Sequence, residues 1–144
     1  MMRGSPGWAL AARAGLDVGI GYALAGLLRA MPFHTRTGRC YIPADVVAEA
    51  RLDPGDYLKL RATPGLRRAV CRIAEVAASH LVSARQLRAE VPRAALPALL
   101  PAVIADRTLA RLRRAGWNPF DARLAAQDTL QSWRLAAAAL RGRF

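Results

Sequence analysis

Histidine, cysteine, aromatic residues and carboxylates are all scarce in this sequence, and each shortage removes a class of function. Two histidines and two cysteines occur in 144 residues. His34 and His80 lie far apart in sequence, and Cys40 and Cys71 are 31 positions apart with no CxxC partner. Zinc sites need closely spaced ligands and small disulfide frameworks need several half-cystines, so neither is expected. Both cysteines read as reduced thiols of an intracellular protein. Aromatics make up 6% and β-branched residues are sparse, which argues against sheet. Long apolar runs are also missing: the most hydrophobic stretch, Leu16 to Leu28, is 13 residues long and contains Asp17 and three glycines. A membrane span needs about 20 such residues, so no span is expected. Arg13 interrupts the apolar N-terminal residues, which makes a cleaved signal peptide a poor reading. A cytoplasmic chain is expected, or one peripheral to the inner face of a membrane.

Basic residues, in contrast, are abundant. The 22 Lys and Arg face 10 Asp and Glu, a formal charge of +12. Clustered basic residues neutralise phosphates, but these are spread along the whole chain, and Lys59 is the single lysine. No zinc-finger spacing and no aromatic platform accompanies them, so no nucleic acid is expected. A solvated basic surface is the simple reading; an acidic protein partner or an anionic membrane surface is the alternative.

Alanine supplies 31 positions, and Leu and Arg much of the remainder. All three are strong helix formers, so the fold expected is all-α, a helical bundle. No repeat or low-complexity linker divides the chain. A helix is expected from about Ala9 to Ala30, ended by Pro32 because proline cannot continue a helix interior. Its Gly15, Gly19 and Gly26 share a face, and core packing is the first reading for them, with a ligand pocket as the second. A loop from His34 to Ile42 follows. Pro43 opens a short helix with Asp45 in its first turn, and Asp53, Pro54, Gly55 and Asp56 mark a turn or helix start. From Pro64, apolar residues at Leu66, Val70, Ile73, Ala77, Leu81, Ala84 and Leu87 define a long amphipathic helix closed by Pro92. Another helix, from about Ala94 to Arg114, is expected to bury Leu96, Leu99, Leu100, Val103, Ile104 and Leu112. Pro97 and Pro101 fall in its first turns, and Gly116 is its expected C-cap. A last helix runs from Asp128, as N-cap, to about Leu140. Four or five helices are expected in all.

The segment Gly21 to Asp45 reads GYALAGLLRAMPFHTRTGRCYIPAD. It resembles the second signature of the squalene/phytoene synthase family, approximately NxLRDxxED followed by RGRxYLPxD. Leu28, Arg29, Gly38, Arg39, Tyr41, Pro43 and Asp45 match at the expected spacing. The resemblance implies a partial isoprenoid-synthase fold, with residues 15–144 as the C-terminal half of a family domain and residues 1–14 as an N-terminal segment. Arg29, Arg36, Arg39 and Tyr41 would be the diphosphate contacts, since guanidinium groups match phosphate geometry. Arg29 has a structural alternative, an ion pair with an acid such as Asp45.

Where the family carries acid, this chain departs. Ala30, Phe33 and His34 stand at its metal-binding positions, and Gly26 replaces the asparagine. Family enzymes use magnesium, a hard cation that takes carboxylate oxygens. Alanine and phenylalanine offer no donor and histidine is a poor one. No catalytic residue, metal site or cofactor is therefore expected. The sequence LLRAMPFH, the later pair His80-Leu81, and Trp117 to Phe120 with Leu124, Thr129 and Leu130 resemble a non-catalytic branch of the family, the phytoene-synthase-like assembly factors of respiratory complex I. That resemblance implies a role in assembling a respiratory NADH dehydrogenase. Its partner would be the missing N-terminal half or a respiratory complex subunit, with an isoprenoid or anionic lipid as a candidate ligand. Two alternatives stand beside it. One is a fragment or subunit of a prenyl-diphosphate-condensing transferase of squalene or phytoene biosynthesis. The other is a basic membrane-peripheral module built on Trp133, Leu135, Leu140 and Phe144 among arginines, although packing of that apolar face on the preceding helix is the first expectation.

Overall fold

The computed structural model describes residues 6–126 and 129–144, and within them the fold is all-α. Seven α-helices are present among the described residues: α1 (Pro6–Arg29), α2 (Met31–Arg36), α3 (Ala44–Ala50), α4 (Pro54–Leu58), α5 (Pro64–Gln86), α6 (Pro101–Arg114) and α7 (Gln131–Leu140). That exceeds the four or five expected, because two short helices occupy segments that read as loop or turn. Asp128, the expected cap of the last helix, lies outside the described residues.

Caps set most boundaries. Thr63 accepts a hydrogen bond from the Leu66 amide with Pro64 at the first position of α5, and Asp53 accepts from the Gly55 amide at 2.7 Å to start α4. Pro43 is the N-cap residue of α3, so the helix begins at Ala44, one place later than expected. Pro32 interrupts the long N-terminal helix at Ala30 but does not end helical structure. It sits in the first turn of α2, where its missing N–H costs little, so residues 34–36 are helical rather than loop. Pro97 lies in a 3-10 stretch, Arg93–Leu99, and Pro101 opens α6 as its first residue. Gly116 follows the last turn of α6 with φ +61°, a left-handed conformation suited to glycine.

α1 is the central element. It packs chiefly against α5 and α6 and only slightly against α2, its neighbour in sequence. Its covered stripe is Ala11, Ala14, Val18, Gly21, Ala25 and Leu28. From α5 come Leu66, Val70, Ile73, Ala77, Leu81 and Ala84, all buried as the periodicity predicts. α6 contributes Ala102, Ala105, Leu109 and Leu112, and Leu99 precedes it. Leu96, Leu100, Val103 and Ile104, expected in the core, are half-buried, because the 3-10 stretch shifts the helix register and turns this face toward solvent-filled clefts. At 24 residues α1 is also long and apolar enough to cross a membrane by length and composition, more than the sequence reading allowed. The core helix of a soluble protein satisfies the same measure, and α1 has one stripe covered by its own chain.

Candidate functional site

Close approach is the organising feature where α1 meets α5. A Cβ on Gly21 would lie 2.7 Å from a Leu81 methyl and 3.1 Å from the Ala77 carbonyl oxygen, so only glycine fits there. The neighbouring His80 places Nδ1 2.7 Å from an Asp17 carboxylate oxygen, half-screened from water. His80 and Leu81 thus clasp the two longest helices, a structural task for a pair that the sequence marked for its resemblance.

Among the described residues, nothing covers the opposite face of α1. Ala9, Ala12, Leu16, Gly19, Tyr22 and Ala23 are exposed, and ideal Cβ atoms on Gly15, Gly19 and Gly26 would meet nothing within 4 Å. Core packing, the first reading for these three glycines, does not apply among the described residues. Leu28, by contrast, is fully buried, because it falls on the stripe that meets the core.

Beyond Arg29 the open wall leads to a groove of about 900 Å³ between α2, α6 and α7. Val103, Ile104, Phe120 and Leu135 line it, and Phe120 rests against buried Tyr57 with ring centroids 6.2 Å apart. Burial, aided by the nearby Cys40 thiol, pushes the Tyr57 phenol up to about 12. Five arginines reach the groove: Arg29, Arg36, Arg107, Arg111 and Arg134. Among its described lining residues the only carboxylate is Asp121, whose oxygen lies 2.7 Å from Arg123 and whose pKa is lowered to about 2 chiefly by that side-chain hydrogen bond. Arg111 donates to the Arg123 and Ala126 carbonyls at 2.5 and 2.9 Å, which shapes the loop forming one rim.

Of the residues marked in sequence, the structure brings Arg29, Arg36 and Phe33 into this groove and leaves Ala30, His34, Arg39 and Tyr41 outside its lining. His34 packs edge-on against Tyr41, ring centroids 4.7 Å apart. Arg39 is exposed, and its carbonyl accepts a long hydrogen bond from Tyr57. Among the described residues Arg29 makes no ion pair with Asp45; both are exposed. Arg107, Arg111 and Arg134 were missed. The signal for the first two was their spacing of four on one helix, but the motif drew notice to absent acids rather than to added bases.

The donor set does not suit magnesium. Ala30 has no donor atom, Phe33 is apolar and exposed, and His34, whose buried Nδ1 has no hydrogen-bond partner among the described residues, offers nitrogen where magnesium takes oxygen. Among the described residues no three His, Cys, Asp or Glu side chains form a cluster able to hold a metal ion. The guanidinium groups around the groove favour an anion instead.

An all-α wall of this kind, carrying the paired signature, defines the class: the family profile described as squalene/phytoene synthase matches residues 4–138, and the chain belongs to that family. Its similarity to curated proteins is more particular. It is 30% identical over 124 residues to the rat protein named NADH dehydrogenase (ubiquinone) complex I, assembly factor 6, covering 81% of this chain and 37% of that one. The human protein of that name is 28% identical over the same length and coverage. The Drosophila melanogaster homolog is 30% identical over 128 residues, covering 88% of this chain and 38% of the fly protein. The chain thus spans well under half the length of the curated relatives it matches. No solved structure matches.

Proposed function

We propose that this chain is a non-catalytic member of the squalene/phytoene synthase family that acts in assembling a respiratory NADH dehydrogenase complex. The observation that carries the reading is the replacement of the family's acidic positions by Ala30, Phe33 and His34 beside a groove furnished with arginines. The relatives named as complex I assembly factors support it. The protein works without a metal ion in this reading, from the cytoplasmic side and peripheral to the inner face of the membrane. Its partner covers the open face of α1. The chain accounts for 37% of the rat protein's length, so the helices that complete the fold come from further sequence of the same protein or from a separate polypeptide. Gly15, Gly19 and Gly26 leave room for a helix to approach closely there.

Removal of the gene should deplete the assembled NADH dehydrogenase on native gels while its individual subunits are still made, and the wild-type gene should restore it. Gly19→Leu should leave the chain folded but fail to restore assembly, because the added side chain blocks close approach. An unchanged complex after gene removal would sink the assembly role. A second reading, a fragment of a prenyl-diphosphate transferase with its carboxylates supplied elsewhere, draws support from Arg29 and Arg36 sharing one groove. Incubation with magnesium and labelled farnesyl or geranylgeranyl diphosphate discriminates. We expect no squalene or phytoene, since loss of the metal ligands removes the charge neutralisation that diphosphate departure needs. Robust turnover would overturn the non-catalytic reading.

A further inference from the structure

α7 is turned the wrong way for a helix that merely finishes a core. It buries no residue. Trp133 is 75% and Leu140 90% exposed, and these two, seven residues apart, stand on one face with exposed Ala136 between them. Gln131, Arg134 and Leu135 on the opposite side line the groove. The expectation that the apolar residues of this segment pack on the rest of the chain therefore holds for Leu135 and Phe144 and fails for Trp133 and Leu140, which point away from the body. Exposed tryptophan and leucine on one helix face are costly in water and mark a surface that is covered in use.

Charge identifies the cover. Beside Leu140, at the end of α7, a second cavity of about 700 Å³ is lined by Arg85, Arg88, Arg93, Arg141 and Arg143 and, among the described residues, by no Asp or Glu side chain. Arg85 is committed to Asp106 and to the Phe144 carbonyl, and Arg88 to the Gly142 carbonyl. Those bonds tie the C-terminal segment to the body, and Phe144 is itself buried, so the direction of α7 is held from both sides. Arg93, Arg141 and Arg143 are exposed and make no ion pair among the described residues. An apolar strip ending in unneutralised arginines matches one surface in particular, an anionic bilayer, where the strip enters the acyl boundary and the arginines meet headgroup phosphates. Tryptophan suits that depth because its ring is largely apolar and its N–H still reaches polar partners.

We infer that the outer face of α7, with Trp133 and Leu140 at its centre and Arg93, Arg141 and Arg143 at its edge, docks the protein on an anionic phospholipid surface. This rests on the peripheral-membrane part of the proposed function and specifies the surface that serves it. The test is vesicle sedimentation of the full chain. Vesicles of phosphatidylcholine with about 30% phosphatidylglycerol should carry the protein down, and phosphatidylcholine alone should not; about 0.5 M salt should weaken binding by screening the arginines. Trp133→Ser with Leu140→Ser, and separately Arg141→Glu with Arg143→Glu, should each weaken binding at least about tenfold. Both pairs are exposed, so the thermal midpoint should stay at the wild-type value, and Leu16→Ser on the open face of α1 should leave vesicle binding unchanged. Failure to bind anionic vesicles overturns the inference. So does binding that survives both double variants, or a Trp133-dependent dimer that ignores vesicles. Normal vesicle binding by a protein whose loss leaves NADH dehydrogenase assembly intact would defeat the assembly role and leave this surface standing.

Discussion

The two faces of α1 are made of nearly the same residues and meet opposite fates. Ala11, Ala14, Val18, Gly21, Ala25 and Leu28 are buried, while Ala9, Ala12, Leu16, Gly19 and Ala23 face outward. A helix apolar all round normally lies wholly within a core or a membrane. Here half of that environment is supplied by α5 and α6, and the other half is left open among the described residues. Small residues serve both faces for one reason: without bulk, another helix can come close. At Gly21 that helix is α5, and at Gly19 it is absent among the described residues.

The largest effect expected from breaking this contrast is at the covered glycine. Gly21→Val drives methyl groups into Leu81 and the Ala77 carbonyl, and overpacking at such a site should cost about 3 kcal/mol in denaturant unfolding. A midpoint within error of wild type would mean that α1 and α5 are not as close as described. Next comes alkali. Buried Tyr57 has its pKa raised from 10.0 to about 12, so the folded state favours the protonated phenol. Its contribution is complete below about pH 10 and is lost as pH rises through 12, roughly 2 kcal/mol for a shift of this size. Tyr57→Phe should flatten that part of the stability–pH curve.

Smaller again is the clasp between the helices. His80→Ala removes the partner of Asp17, and because the pair is part-exposed the loss should be about 1 kcal/mol. The smallest effect should have the opposite sign. Gly19→Ala adds a Cβ that meets nothing and raises helix propensity, so stability should increase by about 0.5–1 kcal/mol. If Gly19→Ala destabilises the isolated chain, the outer face is covered by this chain and the comparison collapses.

Much of the architecture is legible in the sequence. Leu66, Val70, Ile73, Ala77, Leu81 and Ala84 recur at three and four residues, and all six are buried on α5. That periodicity is a local property, set by the pitch of a helix. Prolines were read less well, because the same residue that ends a helix also starts one. Pro32 did both within three residues, and Pro97 and Pro101 shifted the register that had placed Val103 and Ile104 in the core. The arginines show a further gap. Read as a solvated surface, several instead satisfy backbone carbonyls that have no helical partner: Arg68 grips the Ala50 oxygen at the end of α3, and Arg67 donates to Gly116 at 2.6 Å. Such pairings join positions far apart in sequence, so no local pattern announces them.

The candidate site divides along the same line. Sequence alone identified the paired signature, its missing acids at Ala30, Phe33 and His34, and two of the groove's arginines, because a motif is a matter of residue type and spacing. Only the tertiary structure brought Arg107, Arg111 and Arg134 to those two, turned Arg39 and Tyr41 away from them, and left Trp133 and Leu140 in water. Composition makes each of these segments helical. Which face of a helix is covered depends on what other helices are present to cover it, and that is a property of the assembled fold rather than of any segment in it.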